Sequence, residues 1–206
     1  YMIKQFKSYG VAPGYRGSYV QPFDITTGIK LNDGNHMVVN GDTLVIREDY
    51  IPLSFSSSSF FSGSAVFAGY GFNSEQEELE WNDYKNLDVN EKWVVVMRHS
   101  PDRHNQHSIY REHSSLHKKM MVARDLGAAG IIFISQIEGE ALNPLIYTRR
   151  YKNSGIPAIH ISNETADNVL KSYGWSRESI QETMNRSLSS VTFDMNGVTI
   201  SANVSL

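Results

Sequence analysis

The stretch "KWVVVMRHSPDRHNQHSIYREHSSLHKKMMVARDLGAAGIIFIS", residues 92–135, decides the fold of this chain. It opens with three consecutive valines beside a tryptophan, which is the strongest strand pattern in the sequence. From residue 114 to residue 126 the apolar period changes from two to about 3.6, which predicts a helix that Gly127 ends. Residues 129–135 then form a continuous apolar run, typical of a strand covered on both faces.

Shorter helices and strands are predicted on both sides of this unit. The apolar face of the predicted helix consists of Leu116, Met120, Ala123 and Leu126 or Gly127. Further strands are predicted at 64–72, 92–99 and 155–162, and helices at 1–10, 164–174 (capped by Ser162 or Asn163) and 175–185, the last as a helical turn. Hairpins are predicted at 19–56, with turns "NDGN" (32–35) and "NGD" (40–42), and at 189–206, with Asn196-Gly197 as the turn. Residues 54–64 are interpreted as a serine-rich connector and residues 75–84 as a polar loop or short helical turn.

This mixture of helices and strands predicts an α+β or α/β domain with a mainly β body. The chain has 206 residues, 40% apolar content and a net charge of −3 without a long basic block. Nucleic acid is therefore not an expected partner, because phosphate binding needs clustered Lys and Arg. No apolar run is long enough to predict a membrane span. The sequence has no cysteine, which excludes disulfides, thiolate zinc sites and Cys nucleophiles.

Four segments occur in an order that resembles a known domain. They are "VFAGYGF" (66–72), "WNDYKNLDVNEKWVVVMRHSPD" (81–102), "HSSLHKKMMVARDLGAAGIIFIS" (113–135) and "IPAIHISNETADNVL" (156–170). This order resembles the protease-associated (PA) domain inserted in secreted di-zinc aminopeptidases, relatives of glutamate carboxypeptidase and the transferrin receptor. The lead-in "FKSYGVAPGYRGSYVQPFDI" (6–25) and the final "ANVSL" (202–206) resemble the points where the chain leaves and rejoins the catalytic domain.

The resemblance implies a mixed α+β fold: a PA-like β-sandwich or open barrel with two flanking helices and flanking β-hairpins. It implies that residues 1–18 are the end of a catalytic-domain helix and a connector, and that residues 19–206 are the PA-like domain, with its core at 64–175. The implied partners are the catalytic domain of the same parent chain and a peptide substrate. No cofactor is expected in this fragment, whereas two zinc ions are implied for the parent.

The function implied by the resemblance is that of a non-catalytic lid and interaction module. The fragment by itself is not expected to be an enzyme, and its parent is expected to be a zinc-dependent aminopeptidase. The implied location is secreted, periplasmic or in the envelope of a bacterial cell. A stand-alone protein-docking domain is a second possibility for the same fold.

Five of the chain's seven histidines lie within residues 99–117, which raises the alternative of a self-contained metal-dependent hydrolase. Zinc requires three or four converging ligands. His113 and His117 have the i, i+4 spacing of a zinc-binding helix, but the sequence His-Ser-Ser-Leu-His lacks the glutamate that would activate water. No His-x-Asp pair occurs, and Glu77-Glu78 lies in a polar segment. We therefore assign no catalytic residue and no metal ligand.

Six residues are candidates for binding: Tyr70, Phe72, Arg98, His99, Arg149 and Arg150. The two aromatic residues lie beside flexible glycines, where they either pack on a partner or form a turn with core aromatics. Arg98 and His99, in "RHSPD", follow the strongest predicted strand, and loops at such positions tend to carry function. The arginine pair in "YTRRYK" either binds a carboxylate of a peptide or of the catalytic domain, or lies in a solvated loop.

Overall fold

An eight-stranded mixed sheet organises the computed structural model, which describes residues 1–23, 25, 27–76, 79–103, 105–148 and 155–206. Within these residues the chain forms ten strands and four helices. The strands are β1 (His36–Val39), β2 (Asp42–Leu44), β3 (Tyr50–Pro52), β4 (Phe60–Ala68), β5 (Asn73–Gln76), β6 (Leu79–Asn82), β7 (Trp93–Met97), β8 (Gly130–Ile134), β9 (Ala158–Ile161) and β10 (Thr192–Asn203). The helices are α1 (Met2–Ser8), α2 (Leu116–Asp125), α3 (Asn163–Lys171) and α4 (Arg177–Ser187).

The strands lie in the order β2-β1-β10-β4-β7-β8-β9-β3 across the sheet. β4, β7, β8 and β9 run parallel to one another, and the pairs on either side of them are antiparallel. β5 and β6 form a separate antiparallel hairpin. The predicted mixed α+β class is therefore confirmed.

A hydrophobic core lies on each face of the sheet. Trp93, Val95 and Met97 of β7 belong to one core. Val94 and Val96 of the same strand belong to the other. Because successive side chains of a strand point to opposite faces, a strand buried on both faces needs an unbroken apolar run. α2 covers one face of the sheet and α3 covers the other, and these are the two predicted flanking helices. α4, which was expected as a helical turn, is a third helix and packs on the same face as α3.

Serine side chains define where these helices begin. The Ser162 hydroxyl accepts a hydrogen bond from the Thr165 amide at 3.2 Å, so Ser162, one of the two residues predicted to cap α3, is the cap. Ser115 caps α2 in the same way, through the Lys118 amide at 3.2 Å. Such caps satisfy amides that have no partner within the first helical turn.

Residues 192–203 form one continuous strand, β10, so the predicted hairpin at 189–206 is wrong. Met195 pairs with Ala65 of β4, and Thr199 pairs with the next residue, Ser64, so residues 196–198 form a bulge. Gly197 has a φ of 86°, which is the conformation that an Asn-Gly pair favours in a turn. Both halves of β10 pair with β4, and the Asn-Gly pair here makes a bulge instead of a reversal.

The polar segment at 75–84, expected as a loop or helical turn, is also corrected. It contains β6 and the end of β5, which pair in register with Ser74 opposite Trp81. Leu79 and Trp81 are buried and Glu80 between them is exposed, which is the alternation of a half-buried strand. The acidic composition concealed this alternation. Glu77-Glu78 lies outside the described residues.

Of the two other predicted hairpin turns, one is confirmed and the other is not. Asn40-Gly41 joins β1 and β2 as predicted, with both residues at positive φ. The segment "NDGN" (32–35) is a turn that leads into β1 and joins no strand pair among the described residues. The second half of the connector at 54–64 is the start of β4, where Phe60 pairs with Asn203 of β10.

α1 contains no buried residue, and its apolar side chains Met2, Ile3 and Phe6 are exposed. The prediction that this helix and residues 1–18 belong to another core stays a prediction, as do the proposed domain limits. Among the described residues, every helix is too short or too polar to cross a membrane.

Gly130 of β8 lies directly against the buried ring of Trp93, and a Cβ added there would overlap that ring. We expect Gly130→Ala to lower the free energy of unfolding by about 1–3 kcal/mol, because overpacking forces the ring or the strand to move. Chemical denaturation monitored by tryptophan fluorescence measures this. Gly28→Ala is the control, since that glycine is exposed with open space around it. Equal stability of the two variants would contradict the packing argument.

Candidate functional site

Polar side chains gather where the parallel strands β7, β8 and β9 end. Arg98 follows β7, Ser135 follows β8 and His160 lies near the end of β9, all within reach of the segment that continues from β8. The carboxyl ends of parallel strands meet at one edge of a sheet, where α/β folds commonly place binding sites. We name the group Arg98, His99, Ser135, Glu140, Asn143 and His160 the polar edge.

The Glu140 carboxylate connects three members of the polar edge. It accepts a hydrogen bond from the Ser135 hydroxyl and one from His99 Nε2 at 3.1 Å. Arg98 Nη1 lies 3.2 Å from Glu140 Oε2. Burial by itself raises the pKa of the Glu140 carboxyl, but the hydrogen bonds from Ser135 and His99 and the charge of Arg98 outweigh it, so the pKa is lowered. Glu140 is therefore ionised and holds its segment against the ends of two strands.

A second link joins Arg98 to His160 through Asn143. Arg98 Nη2 donates to Asn143 Oδ1 at 2.5 Å, and the Asn143 amide donates to His160 Nδ1 at 3.0 Å. Burial, followed by the charge of Arg98, lowers the pKa of His160 to about 3. His160 is thus neutral, and because Nδ1 accepts a hydrogen bond, its proton is on Nε2.

Lys119 supports the polar edge from beneath, and its side chain is fully buried. Its ammonium donates to the carbonyl oxygens of Met97, Arg98 and His99 at 2.7, 3.0 and 2.6 Å. It also lies 5.0 Å from the centre of the Phe72 ring. Burial lowers the pKa of Lys119 well below its usual value, and the nearby charge of Asp83 opposes this shift.

Asp83 is the buried anion on the other side of this region, with 1% of its surface exposed. Its carboxylate accepts hydrogen bonds from the Phe72 amide at 2.8 Å, from Trp81 Nε1 at 2.9 Å and from the Ser190 hydroxyl. Burial is the largest influence and raises the pKa of Asp83 to about 6, although these hydrogen bonds lower it in part. Asp83 thus ties the β5–β6 hairpin to the segment before β10.

The structure places the predicted binding residues in different environments. Tyr70 and Phe72 are buried, with their ring centres 5.6 Å apart. Of the two alternatives for these residues, a turn with core aromatics describes their positions. A partner has no exposed surface of these two rings to contact in this structure. Arg98 and His99 lie together in the polar edge, partly buried. Arg149 and Arg150 lie outside the described residues, so their binding role stays a prediction.

The described histidines of the 99–117 cluster have separate surroundings. His99 contacts Glu140, whereas His113 is buried beside the Phe72 ring at 6.0 Å. His117 meets the edge of Phe55 at 5.4 Å, and His104 lies outside the described residues. α2 begins at Leu116, so of the His113/His117 pair only the second is on the helix. In the described part of the chain, no group of three or more His, Asp or Glu side chains could hold a metal ion.

The order of contacts in the polar edge differs from that of a hydrolytic triad. In a triad the histidine lies between the nucleophile and the acid, where it takes the proton of the nucleophile. Here Glu140 lies between Ser135 and His99, and Ser135 is fully buried. The arrangement therefore holds the segment after β8 against the strand ends, and within the described residues Arg98 Nε and His160 Nε2 are buried without a hydrogen-bond partner.

An open acidic cleft of about 640 Å³ lies next to the polar edge. Its lining includes Glu48, Asp49, Glu138, Glu140, Glu164, Asp167 and Arg177. Arg177 is 1% exposed and makes paired hydrogen bonds to Asp167 at 2.7 and 2.8 Å. It also donates to the carbonyl of Ser135 at 2.9 Å, so it fixes α4 to the end of β8.

Sequence reasoning did not identify Lys119, Glu140 or Arg177 as structural centres of this region. Lys119 lies three residues after Leu116 and four before Ala123, so it is on the apolar face predicted for α2. A lysine at such a position was the available signal. Glu140 and Arg177 gave no comparable signal, because their partners are distant in the chain.

Comparisons with known proteins place this geometry in a family. The family profile described as the PA domain matches residues 50–169. The aminopeptidase from Aneurinibacillus sp. strain AM-1 superimposes with a TM-score of 0.50 and 14% identity over 85% of this chain and 31% of its own. A zinc aminopeptidase from Bacillus subtilis gives 0.50 and 14% over 86% of this chain and 31% of its own. At this identity the likeness shows the fold alone, and the chain spans about a third of the length of these two structures. No curated protein sequence matches the chain.

The contacts of Lys119 predict a large loss of stability when its ammonium is removed. We expect Lys119→Met to lower the free energy of unfolding by about 3 kcal/mol, because the methionine fits the space but removes a buried donor from three carbonyl oxygens. Urea denaturation measures the loss. Lys118→Met is the control, since the neighbouring Lys118 is exposed. If both variants lose the same stability, Lys119 does not have this role.

The raised pKa of Asp83 predicts how stability depends on pH. Its pKa is about 6 in the folded chain and near 3.8 in the unfolded chain, so the folded state binds more protons between these values. The contribution of this carboxyl is complete below the lower value and is lost as pH rises through the higher one, by up to about 3 kcal/mol. Denaturation of the wild type and Asp83→Asn at several pH values measures the contribution of this carboxyl to the free energy of unfolding. A wild-type stability that rises relative to the variant across this window would contradict the assignment.

Proposed function

The chain belongs to the PA domain family, and from that premise we propose that it is the non-catalytic PA module of a zinc aminopeptidase, acting as a lid and interaction surface beside the active site. The match over residues 50–169 is the observation that carries the proposal, because it spans β3 to α3 and so includes the whole polar edge. The fold likeness to two aminopeptidases supports the same parent class.

The geometry of the polar edge suits a wall better than a reacting centre. Arg98, His99 and Ser135 contact Glu140, which holds their side chains in place, and Arg98 Nε makes no hydrogen bond among the described residues. Lys119 holds the backbone beneath them. A lid acts by excluding water and oversized substrates, which needs a rigid rim and no bond-making group.

We assign the contacts of this module by charge. Arg98, His99, Arg149 and Arg150 are the residues proposed to meet a carboxylate of the catalytic domain or of a peptide. The acidic cleft next to the polar edge would favour the amino group or a basic side chain of a peptide. The parent is proposed to carry two zinc ions in its catalytic domain and to be secreted, periplasmic or located in the cell envelope.

The proposal is tested by separating the module from its parent. We expect the purified chain of 206 residues to release no N-terminal amino acid from leucine 4-nitroanilide or from short peptides, with or without added zinc. The longer protein encoded by the same gene is expected to hydrolyse them in a zinc-dependent manner, and it serves as the positive control. Circular dichroism of the isolated chain establishes that it is folded. Zinc-dependent release of an N-terminal residue by the isolated chain would contradict the proposal.

A further inference from the structure

The sequence contains two Asn-Gly pairs, Asn40-Gly41 and Asn196-Gly197, and the structure holds them differently. Asparagine before glycine is prone to cyclise, because glycine has no side chain to hinder the approach of its amide nitrogen to the asparagine carboxamide. Both asparagines are exposed, and both glycines have positive φ and open space around them. The two pairs are therefore matched in local chemistry and differ in their restraints.

Asn40 is held at both its backbone and its side chain. Its amide donates to the carbonyl of Thr199 at 3.0 Å. Its side-chain Oδ1 accepts a hydrogen bond from the Thr199 amide, also at 3.0 Å. The hydrogen bond to Oδ1 holds the carboxamide toward β10 and opposes the side-chain rotation that cyclisation requires.

Asn196 lies in the bulge of β10, where residues 196–198 have no partner in the register with β4 or with β1. Within the described part of the chain, no hydrogen bond reaches its carboxamide. Its backbone carbonyl accepts a hydrogen bond from the Tyr173 hydroxyl at 2.9 Å. That bond draws electron density from the peptide group and makes the N–H of Gly197 a better acid, which favours the anionic nitrogen that attacks.

We infer that Asn196 is a site of spontaneous deamidation in the folded protein and that Asn40 is protected. The amide nitrogen of Gly197 attacks Cγ of Asn196, forming a C–N bond and a five-membered succinimide. Ammonia leaves with the side-chain nitrogen, taking up the proton released from the glycine N–H. Water then opens the ring at either carbonyl, which gives aspartate or isoaspartate at position 196 and adds one negative charge.

The product has a defined structural setting. Position 196 is two residues from Asp194, whose carboxylate lies 3.7 Å from Lys92 Nζ, so the new charge adds to an existing anion. The isoaspartate form lengthens the backbone by one carbon two residues before Val198, which is 3% exposed. The bulge therefore localises a chemical change at the boundary between the surface and the core.

The test compares the two sites within one molecule. The folded protein is incubated at mildly alkaline pH, samples are taken over time, and peptide mapping by mass spectrometry follows the conversion at each asparagine. We expect Asn196 to react about tenfold faster than Asn40, because hydrogen bonds of ordinary net strength must break first at Asn40. In concentrated urea we expect similar rates, since both sites are followed by glycine.

Deamidation produces an acidic form of the protein that ion exchange separates. The variant Asn196→Gln shows whether that form arises at residue 196, because the longer side chain cyclises poorly and the acidic form should disappear. Equal rates at the two sites in the folded protein would overturn the inference, as would faster reaction at Asn40. Resistance of both sites in the folded protein, with reaction of both in urea, would also overturn it, because the bulge would then protect as well as the hairpin turn does.

Discussion

The fold depends on the path of the backbone after β7, and the buried ammonium of Lys119 fixes that path. Lys119 donates to three successive carbonyl oxygens, those of Met97, Arg98 and His99. Consecutive carbonyls of a strand normally point in alternating directions, so their convergence on one donor marks the end of regular pairing. The carbonyl groups take the place of water around a buried charge, and the Phe72 ring 5.0 Å away adds to the stabilisation.

The path of the backbone after β7 sets the position of the polar edge. With its backbone fixed from below, Arg98 reaches both Glu140 and Asn143, and His99 reaches Glu140. The segment after β8 is thereby held across the ends of the parallel strands without secondary structure of its own. A rigid polar rim of this kind is consistent with a module that borders an active site and contributes shape and charge.

The sequence predicted the parts of the fold that follow from local pattern. The unbroken apolar run of β7 indicated a strand buried on both faces, and the helical period and Gly127 located α2. The hairpin at 189–206 was predicted wrongly, because an Asn-Gly pair serves a bulge as well as a turn and only the pairing of β10 with β4 decides between them. The contacts of Glu140 and Arg177 could not be predicted, since they join residues that only the sheet topology brings together.

The central claim is that the polar edge faces a catalytic domain in a longer parent protein. Hydrogen–deuterium exchange tests it most directly, by comparing peptides that cover residues 98–103 and 136–148 in the isolated chain and in the longer protein. We predict slower exchange of these peptides in the longer protein, with little change in the exposed turn at 40–41, between β1 and β2. Identical exchange of the 98–103 and 136–148 peptides in the two proteins would contradict the account.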